Sequence, residues 1–143
     1  MRYEMHILII DGQGGKIGKL LIEGVREKLP KAEITAIGTN SIATSNMLKA
    51  NPDYAATGAN PVIVAARTAD VIVGPIGIVI ADSLIGEITA DMAVAVGRSK
   101  AKKVLIPLNK CDNIVAGVMP LSMNELVVNA MEQIETCGMD CEK

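Results

Sequence analysis

The sequence predicts a three-layer, Rossmann-like α/β fold with a mostly parallel, doubly wound sheet, and residues 1–143 as a single domain. An apolar run ends at Asp11 and is followed by four glycines in seven positions, which is typical of a strand, a tight turn and a helix. Further apolar runs alternate with amphipathic segments, as in parallel α/β sheets. Half of the residues are hydrophobic without Phe or Trp, which suits strands buried on both faces.

The first half of the chain alternates strands and helices. A 3.6-residue apolar period from residue 16 to 29 predicts a helix that Pro30 ends. Ser41 is expected to cap the next helix, and Asn60 to cap the third, with Pro61 in its first turn. The expected strands are 5–10, 33–37 and a weak one at 53–57, and the expected helices are 16–29, 42–50 and one opened by 58–61.

The second half continues the alternation less regularly. Periodicity does not decide whether residues 76–80 form a strand or a buried helical turn. Thr89 is expected to cap one helix, and Ser122 with Glu125 forms a capping-box pattern for the last. The expected strands are 69–74, 103–108 and a sixth at 114–118, and the expected helices are 90–100 and 123–136.

The glycine-rich turn predicts a nucleotide site. Ligands of parallel sheets bind outside the carboxyl ends of the strands, where a helix N-terminus offers free N–H groups and partial positive charge. Gly12 and Gly14 match the first two glycines of G-x-G-x-x-G, whereas Gly18 comes one residue late for the third. The predicted cofactor-binding residues are Gly12, Gln13, Gly14, Gly15, Lys16, Ile17, Thr39, Asn40, Ser41, Gly74 and Pro75.

The end of the second strand favours NADP(H) over NAD(H) as the cofactor. NAD enzymes carry an acidic residue there for the ribose, but this chain has Thr39, Asn40 and Ser41, and no adjacent Arg. A small reductase is the enzymatic version of this hypothesis, and a non-catalytic, oligomeric nucleotide or metabolite sensor is the alternative. ATP hydrolysis is disfavoured because Gln13 and Leu20 occupy positions where the P-loop needs Gly and Ser or Thr.

Several candidate residues keep two or more interpretations. Asp11 would repel a pyrophosphate; it is expected to bind Mg²⁺, accept a bond from a ligand hydroxyl, or cap the turn. The glycines themselves have a simpler interpretation, the packing of a helix on a sheet. Asp82 and Ser83 are either an acid–hydroxyl pair in a pocket or the start of a helix. Cys111 lies on the predicted ligand edge, but no neighbouring His is available to activate it as a nucleophile.

Bulk properties limit the partners and the compartment. A net charge of −2 argues against general nucleic-acid binding. The longest apolar stretch, 71–81, is too short to span a membrane and contains Gly and Pro. Three cysteines and no secretion signal suggest a reducing cytoplasm. The apolar segment 76–88 predicts a homodimer, because a monomer would risk exposing it.

Three stretches carry a family resemblance: residues 10–15, residues 38–45 and residues 74–89. They resemble a small bacterial family that is catalogued as a domain of unknown function, and the resemblance covers most of the chain. It implies a cytosolic protein found largely in anaerobic Gram-positive bacteria. It implies no catalytic residues.

Overall fold

The structure is a computed structural model that describes residues 4–108 and 112–141, with side chains up to residue 138. Strands and helices alternate along it. The strands are β1 (His6–Asp11), β2 (Glu33–Gly38), β3 (Tyr54–Thr57), β4 (Val71–Pro75) and β5 (Lys102–Ile106). The α-helices are α1 (Lys16–Lys28), α2 (Ser41–Leu48), α3 (Ala59–Ala65), α4 (Ala90–Arg98) and α5 (Met123–Cys141), and a 3₁₀ turn spans Ile76–Val79.

All five strands are parallel and lie in the order β3-β2-β1-β4-β5. Ile9 on β1 pairs with Ala36 on one side and with Val73 on the other. β1 therefore lies in the centre of the sheet, and the strand order reverses between β1 and β4, which confirms the predicted Rossmann-like class. The switch point of such a sheet is where a crevice forms at the carboxyl ends of its strands.

The core lies on both faces of the sheet, because alternate residues of a strand point to opposite sides. Ile7 and Ile9 belong to the layer that contains α1, α2 and α5. Leu8 and Ile10 belong to the opposite layer, which contains α3, α4 and the 3₁₀ turn. All four side chains are at most 1% exposed, which explains why β1 is continuously apolar rather than alternating.

Two predicted helix caps are wrong by one or two residues. The N-cap of α2 is Asn40 rather than Ser41, and its side chain accepts a bond from the Ala43 N–H at 2.8 Å. The N-cap of α3 is Gly58 rather than Asn60. Gly58 has φ of 104°, a conformation that favours glycine and redirects the chain before Asn60 is reached.

The remaining elements follow the predictions except at one place. The Met92 N–H donates to the Thr89 hydroxyl at 3.1 Å, and the Glu125 N–H donates to the Ser122 hydroxyl at 3.2 Å, so both caps are confirmed. Residues 76–79 form a helical turn rather than a strand. The predicted sixth strand at 114–118 is wrong: these described residues form no strand, and Ile114 is 95% exposed without a neighbouring strand.

No helix in the described ranges combines the length and the apolar character that crossing a membrane requires.

Candidate functional site

Asp11 closes the turn between β1 and α1. Its Oδ1 accepts the Gly12 N–H and its Oδ2 accepts the Gly18 N–H, both at 2.8 Å, and the residue is 3% exposed. Desolvation by burial raises the pKa of Asp11 to about 6, against the two backbone hydrogen bonds, and the nearby charge of Glu87 adds to the rise. Of the three predicted roles, the structure therefore supports the local cap.

Most of the glycines in this turn serve close packing. Gly15 has φ of 73°, and a Cβ added there would lie 2.5 Å from the carbonyl oxygen of Ala43 in α2. A Cβ at Gly18 would collide with the sulfur of Met47, and one at Gly12 would lie 2.7 Å from Oγ1 of Thr39. These three glycines therefore allow close packing, but Gly15 and Gly18 pack mainly against α2 and Gly12 packs against Thr39, rather than a helix against the sheet. Gly14 differs, because a Cβ there would meet nothing within 4 Å.

The carboxylate of Glu87 lies over the same turn. It accepts the backbone N–H of Gln13, at 3.1 and 3.2 Å from its two oxygens, and the side-chain amide of Asn40, at 2.9 and 3.3 Å. The hydroxyl of Thr39 donates a third bond to it. Desolvation raises the pKa of Glu87, but the bonds from Thr39, Asn40 and Gln13 outweigh it, so its pKa lies below the usual value.

These three donors form an arrangement that we call the oxyanion receptor: the Gln13 N–H, the Thr39 hydroxyl and the Asn40 amide. They come from two loops, after β1 and after β2, that meet at the carboxyl edge of the sheet. A second bond from Asn40 to the Gln13 carbonyl, at 3.0 Å, ties the loops together. The receptor can hold a carboxylate or another oxyanion, because it presents several donors to one charged group.

Sequence reasoning missed Glu87. The residue is 74 positions from Gln13. In its own segment, the sequence pattern indicates Asp82 and Ser83 as the candidate site residues. A carboxylate next to Gly86, between the apolar residues Ile85 and Ile88, is the signal that the sequence contains. That signal identifies no partner, because neither helical nor strand periodicity relates residues so far apart.

A cavity of about 290 Å³ adjoins the turn at Gly14. The first turns of α2 form its other wall, so two predicted site residues, Gly14 and Ser41, border the same space. The amide of Asn46, another lining residue, donates to the Gly14 carbonyl at 3.0 Å. The lining residues are Gly14, Ser41, Ile42, Ser45, Asn46 and Lys49.

The other predicted site residues are separated from this cluster. Lys16 and Ile17 form the first turn of α1, with Lys16 exposed and Ile17 buried in the core. Gly74 and Pro75 are buried within β4. A Cβ at Gly74 would collide with the carbonyl oxygen of Ile10, so this glycine allows β4 to approach β1 closely.

Asp82 and Ser83 form neither an acid–hydroxyl pair in a pocket nor the start of a helix. No helix begins at Ser83, so the capping interpretation of Asp82 is wrong, and Asp82 is exposed with φ of 64°. Ser83 is buried and donates to the Gly77 carbonyl. Cys111 lies outside the described residues. Within the described ranges, no three His, Cys, Asp or Glu side chains come together to hold a metal ion.

Comparison with family models gives a match over residues 6–138, to the family described as Domain of unknown function (DUF3842). The chain belongs to this family. The match confirms the resemblance to an uncharacterised family and extends it over nearly the whole chain. No protein with a curated function matches the sequence significantly.

Among solved structures, the fold is similar to a dodecameric FMN-dependent Ubix-like decarboxylase from Escherichia coli O157:H7. The identity is 22%, the TM-score is 0.44, and the match covers 92% of this chain and 76% of that one. The likeness concerns the fold alone.

The expected NADP(H) or NAD(H) cofactor is corrected by these findings. The similar enzyme is described as FMN-dependent, which names no nicotinamide nucleotide. Thr39 and Asn40, the side chains expected to meet the 2′-phosphate, donate to the carboxylate of Glu87 in this structure. The hypothesis of a small reductase depended on that cofactor, so it is wrong in that form as well.

Proposed function

We propose that this protein binds a small metabolite through an oxyanion, a phosphate or a carboxylate, at the receptor formed by Gln13, Thr39 and Asn40. One observation carries the proposal: three donors from two loops converge on the carboxylate of Glu87. A receptor that accepts a glutamate carboxylate has the chemistry to accept the corresponding group of a ligand. Glu87 is then a competitor that the ligand displaces.

The surroundings support a ligand larger than the oxyanion alone. The cavity of about 290 Å³ starts at Gly14, the residue that follows Gln13. It approaches the size of small-molecule pockets, which begin near 300 Å³. Its lining residues include two serines and an asparagine beside Ile42 and Lys49, so a ligand with both apolar and anionic groups would suit it. A nucleotide stays the predicted form of that ligand.

The test removes the internal competitor and measures anion binding. Glu87→Ala is titrated with inorganic phosphate, acetate, AMP and FMN, using calorimetry and thermal unfolding, beside the wild type and Glu132→Ala. Glu132 is an exposed acid of α5, so its variant controls for the loss of one negative charge. We expect at least one of these anions to bind more tightly to Glu87→Ala than to the wild type or to Glu132→Ala. A ligand at 100 times its Kd would stabilise the fold by about 2.7 kcal/mol.

The opposite result is equally specific. If no anion stabilises Glu87→Ala more than Glu132→Ala, the receptor serves only to hold Glu87 and the proposal is wrong. A second arm combines Glu87→Ala with Thr39→Val, which removes one of the three donors. Binding that is unchanged in this double variant would place the anion elsewhere.

A homodimer stays part of the proposal, on a different surface from the one expected. In the segment 76–88, Ile78, Leu84 and Ile88 are at most 1% exposed and belong to the core, whereas Ile85 is 91% exposed. β3 is an edge strand, and its residue Tyr54 is 60% exposed. An exposed edge strand can pair with a strand of another chain. We propose that two copies meet there. A 15 kDa particle in light scattering would contradict the dimer.

A cytoplasmic location also stays a prediction.

A further inference from the structure

The segment that carries Glu87 is a loop closed on itself. The Asp82 N–H donates to the Ile88 carbonyl at 2.7 Å, and the Ile88 N–H donates to the Ser83 carbonyl at 3.2 Å. Inside this closure, the Gly86 N–H donates to the Asp82 carbonyl and the Glu87 N–H to the Leu84 carbonyl. We call residues 80–88 the lid. Within the described ranges, the hydrogen bonds that leave the lid are those of Ile80 and Ser83 to the Gly77 carbonyl and those of Glu87.

Two contacts hold the lid over the β1–α1 turn. Leu84 is 1% exposed, and a Cβ at Gly12 would lie 2.9 Å from its Cδ1. Glu87 makes the three bonds of the oxyanion receptor. Apart from the bonds to the neighbouring Gly77, Glu87 forms all of the hydrogen bonds that connect the lid with the rest of the described residues. The polar part of the closure therefore depends on one carboxylate.

The closed lid contains strained backbone. Asp82, Leu84 and Ile85 have φ of 64°, 54° and 56°. This left-handed conformation is costly for side chains other than glycine, asparagine and aspartate, and most of all for a β-branched residue such as Ile85. Ile85 is also 91% exposed, so packing does not compensate its strain. The contacts of Leu84 and Glu87 therefore oppose a tendency of the lid to open.

We infer that the lid is a latch that closes the proposed ligand site by its own Glu87, so that a bound oxyanion and the closed lid exclude each other. The inference rests on the proposed function. An oxyanion in the receptor takes the donors of Glu87 and repels its carboxylate, which removes the polar contact that holds the strained loop. The lid then relaxes and uncovers Gly12, which widens the site over the turn.

Hydrogen exchange at the lid amides tests the latch without any ligand. The amides of Gly86, Glu87 and Ile88 are measured by NMR in the wild type and in Glu87→Ala. We expect exchange to be about tenfold faster in Glu87→Ala, since hydrogen bonds to a charged group are lost. Glu87→Gln keeps the side-chain volume and replaces Glu87→Ala if that variant does not fold. Unchanged exchange in the folded variant would overturn the inference.

A second pair of variants tests the strain with the carboxylate intact. Ile85→Asn relieves the left-handed residue, because asparagine tolerates that conformation, and we expect about tenfold slower lid exchange and weaker phosphate binding. Ile85→Val keeps the β-branched strain and serves as the matched control, with exchange close to that of the wild type. Equal effects of the two substitutions would show that strain does not drive opening.

Phosphate titration of the wild type separates the latch from the proposed function. If the latch is correct, lid exchange accelerates as phosphate is added, with the same apparent Kd as binding itself. Binding without any change in lid exchange overturns the latch but leaves the proposed function standing. Absence of anion binding to Glu87→Ala, even with a loosened lid, overturns the proposed function and the latch together.

Discussion

Oδ2 of Asp11 accepts the backbone N–H of Gly18 at 2.8 Å, so the last residue of β1 caps the first turn of α1. The N-cap residue of that helix is Gly15, which has no side chain to do so. The strand thus provides the acceptor that the helix lacks. This buried carboxylate also uses part of the positive helix end that a phosphate would otherwise occupy.

Asp11 makes stability depend on pH in an unusual direction. Its pKa of about 6 in the folded protein lies above its ordinary value of 3.8, so the folded state binds the proton more strongly. The free energy of unfolding contributed by Asp11 is therefore higher at pH 4 and falls as the pH rises to about 6, by at most about 3 kcal/mol. Urea unfolding of the wild type and Asp11→Asn from pH 4 to 7 measures this. The same slope in both proteins would contradict the assignment.

Gly15 and Gly14 are expected to respond oppositely to alanine. Gly15→Ala forces a side chain into a left-handed position and against the Ala43 carbonyl, which we expect to lower the free energy of unfolding by about 2 kcal/mol or more. Gly14→Ala meets open space and changes stability by less than about 0.5 kcal/mol. Chemical denaturation of the two variants compares neighbours in one turn. Equal losses would show that the turn is not packed as described.

Gly14→Val tests whether the ligand occupies the cavity beside the turn. A Cβ at Gly14 would meet nothing within 4 Å, and Gly14 lines the cavity, so we expect Gly14→Val to fold while the cavity shrinks. In the Glu87→Ala background, we expect the Kd of the tightest-binding anion to rise about tenfold, which corresponds to 1.4 kcal/mol. Gly97→Val, at an exposed position of α4 with open space around it, is the control. An unchanged Kd in Gly14→Val would restrict the ligand to the receptor itself.

Asn40→Asp places a second carboxylate beside Glu87 while preserving an acceptor for the Ala43 N–H. The amide donor is lost and like charges repel, so we expect the pKa of Glu87 to rise towards or above its ordinary value. Asn40→Ser also keeps a capping oxygen, but it adds no charge and is expected to raise the pKa less. NMR titration of the Glu87 carboxyl carbon distinguishes them. A pKa that stays low in Asn40→Asp would mean that Asn40 contributes little to the receptor.

Local patterns in the sequence explain most of the fold. The apolar stretch Ile7–Ile10 has no polar alternation, which predicts a strand covered on both sides, and the structure buries it in two layers. The caps at Thr89 and Ser122 were predictable because a cap involves residues three positions apart. The expected strand at 114–118 failed for the complementary reason: an apolar run forms a strand only if a partner strand is available beside it.

The sequence by itself determined the Rossmann-like class, the glycine turn after β1 and the position of Gln13, Thr39 and Asn40 at the carboxyl ends of the strands. These features depend on short-range patterns and on the order of the elements. Only the tertiary structure decided that Glu87 lies on those donors and that Gly15 and Gly18 pack against α2. Both outcomes depend on where the chain returns after tens of residues. That return is governed by burial of Leu84 and by left-handed turns at Asp82 and Ile85, and local periodicity does not contain it.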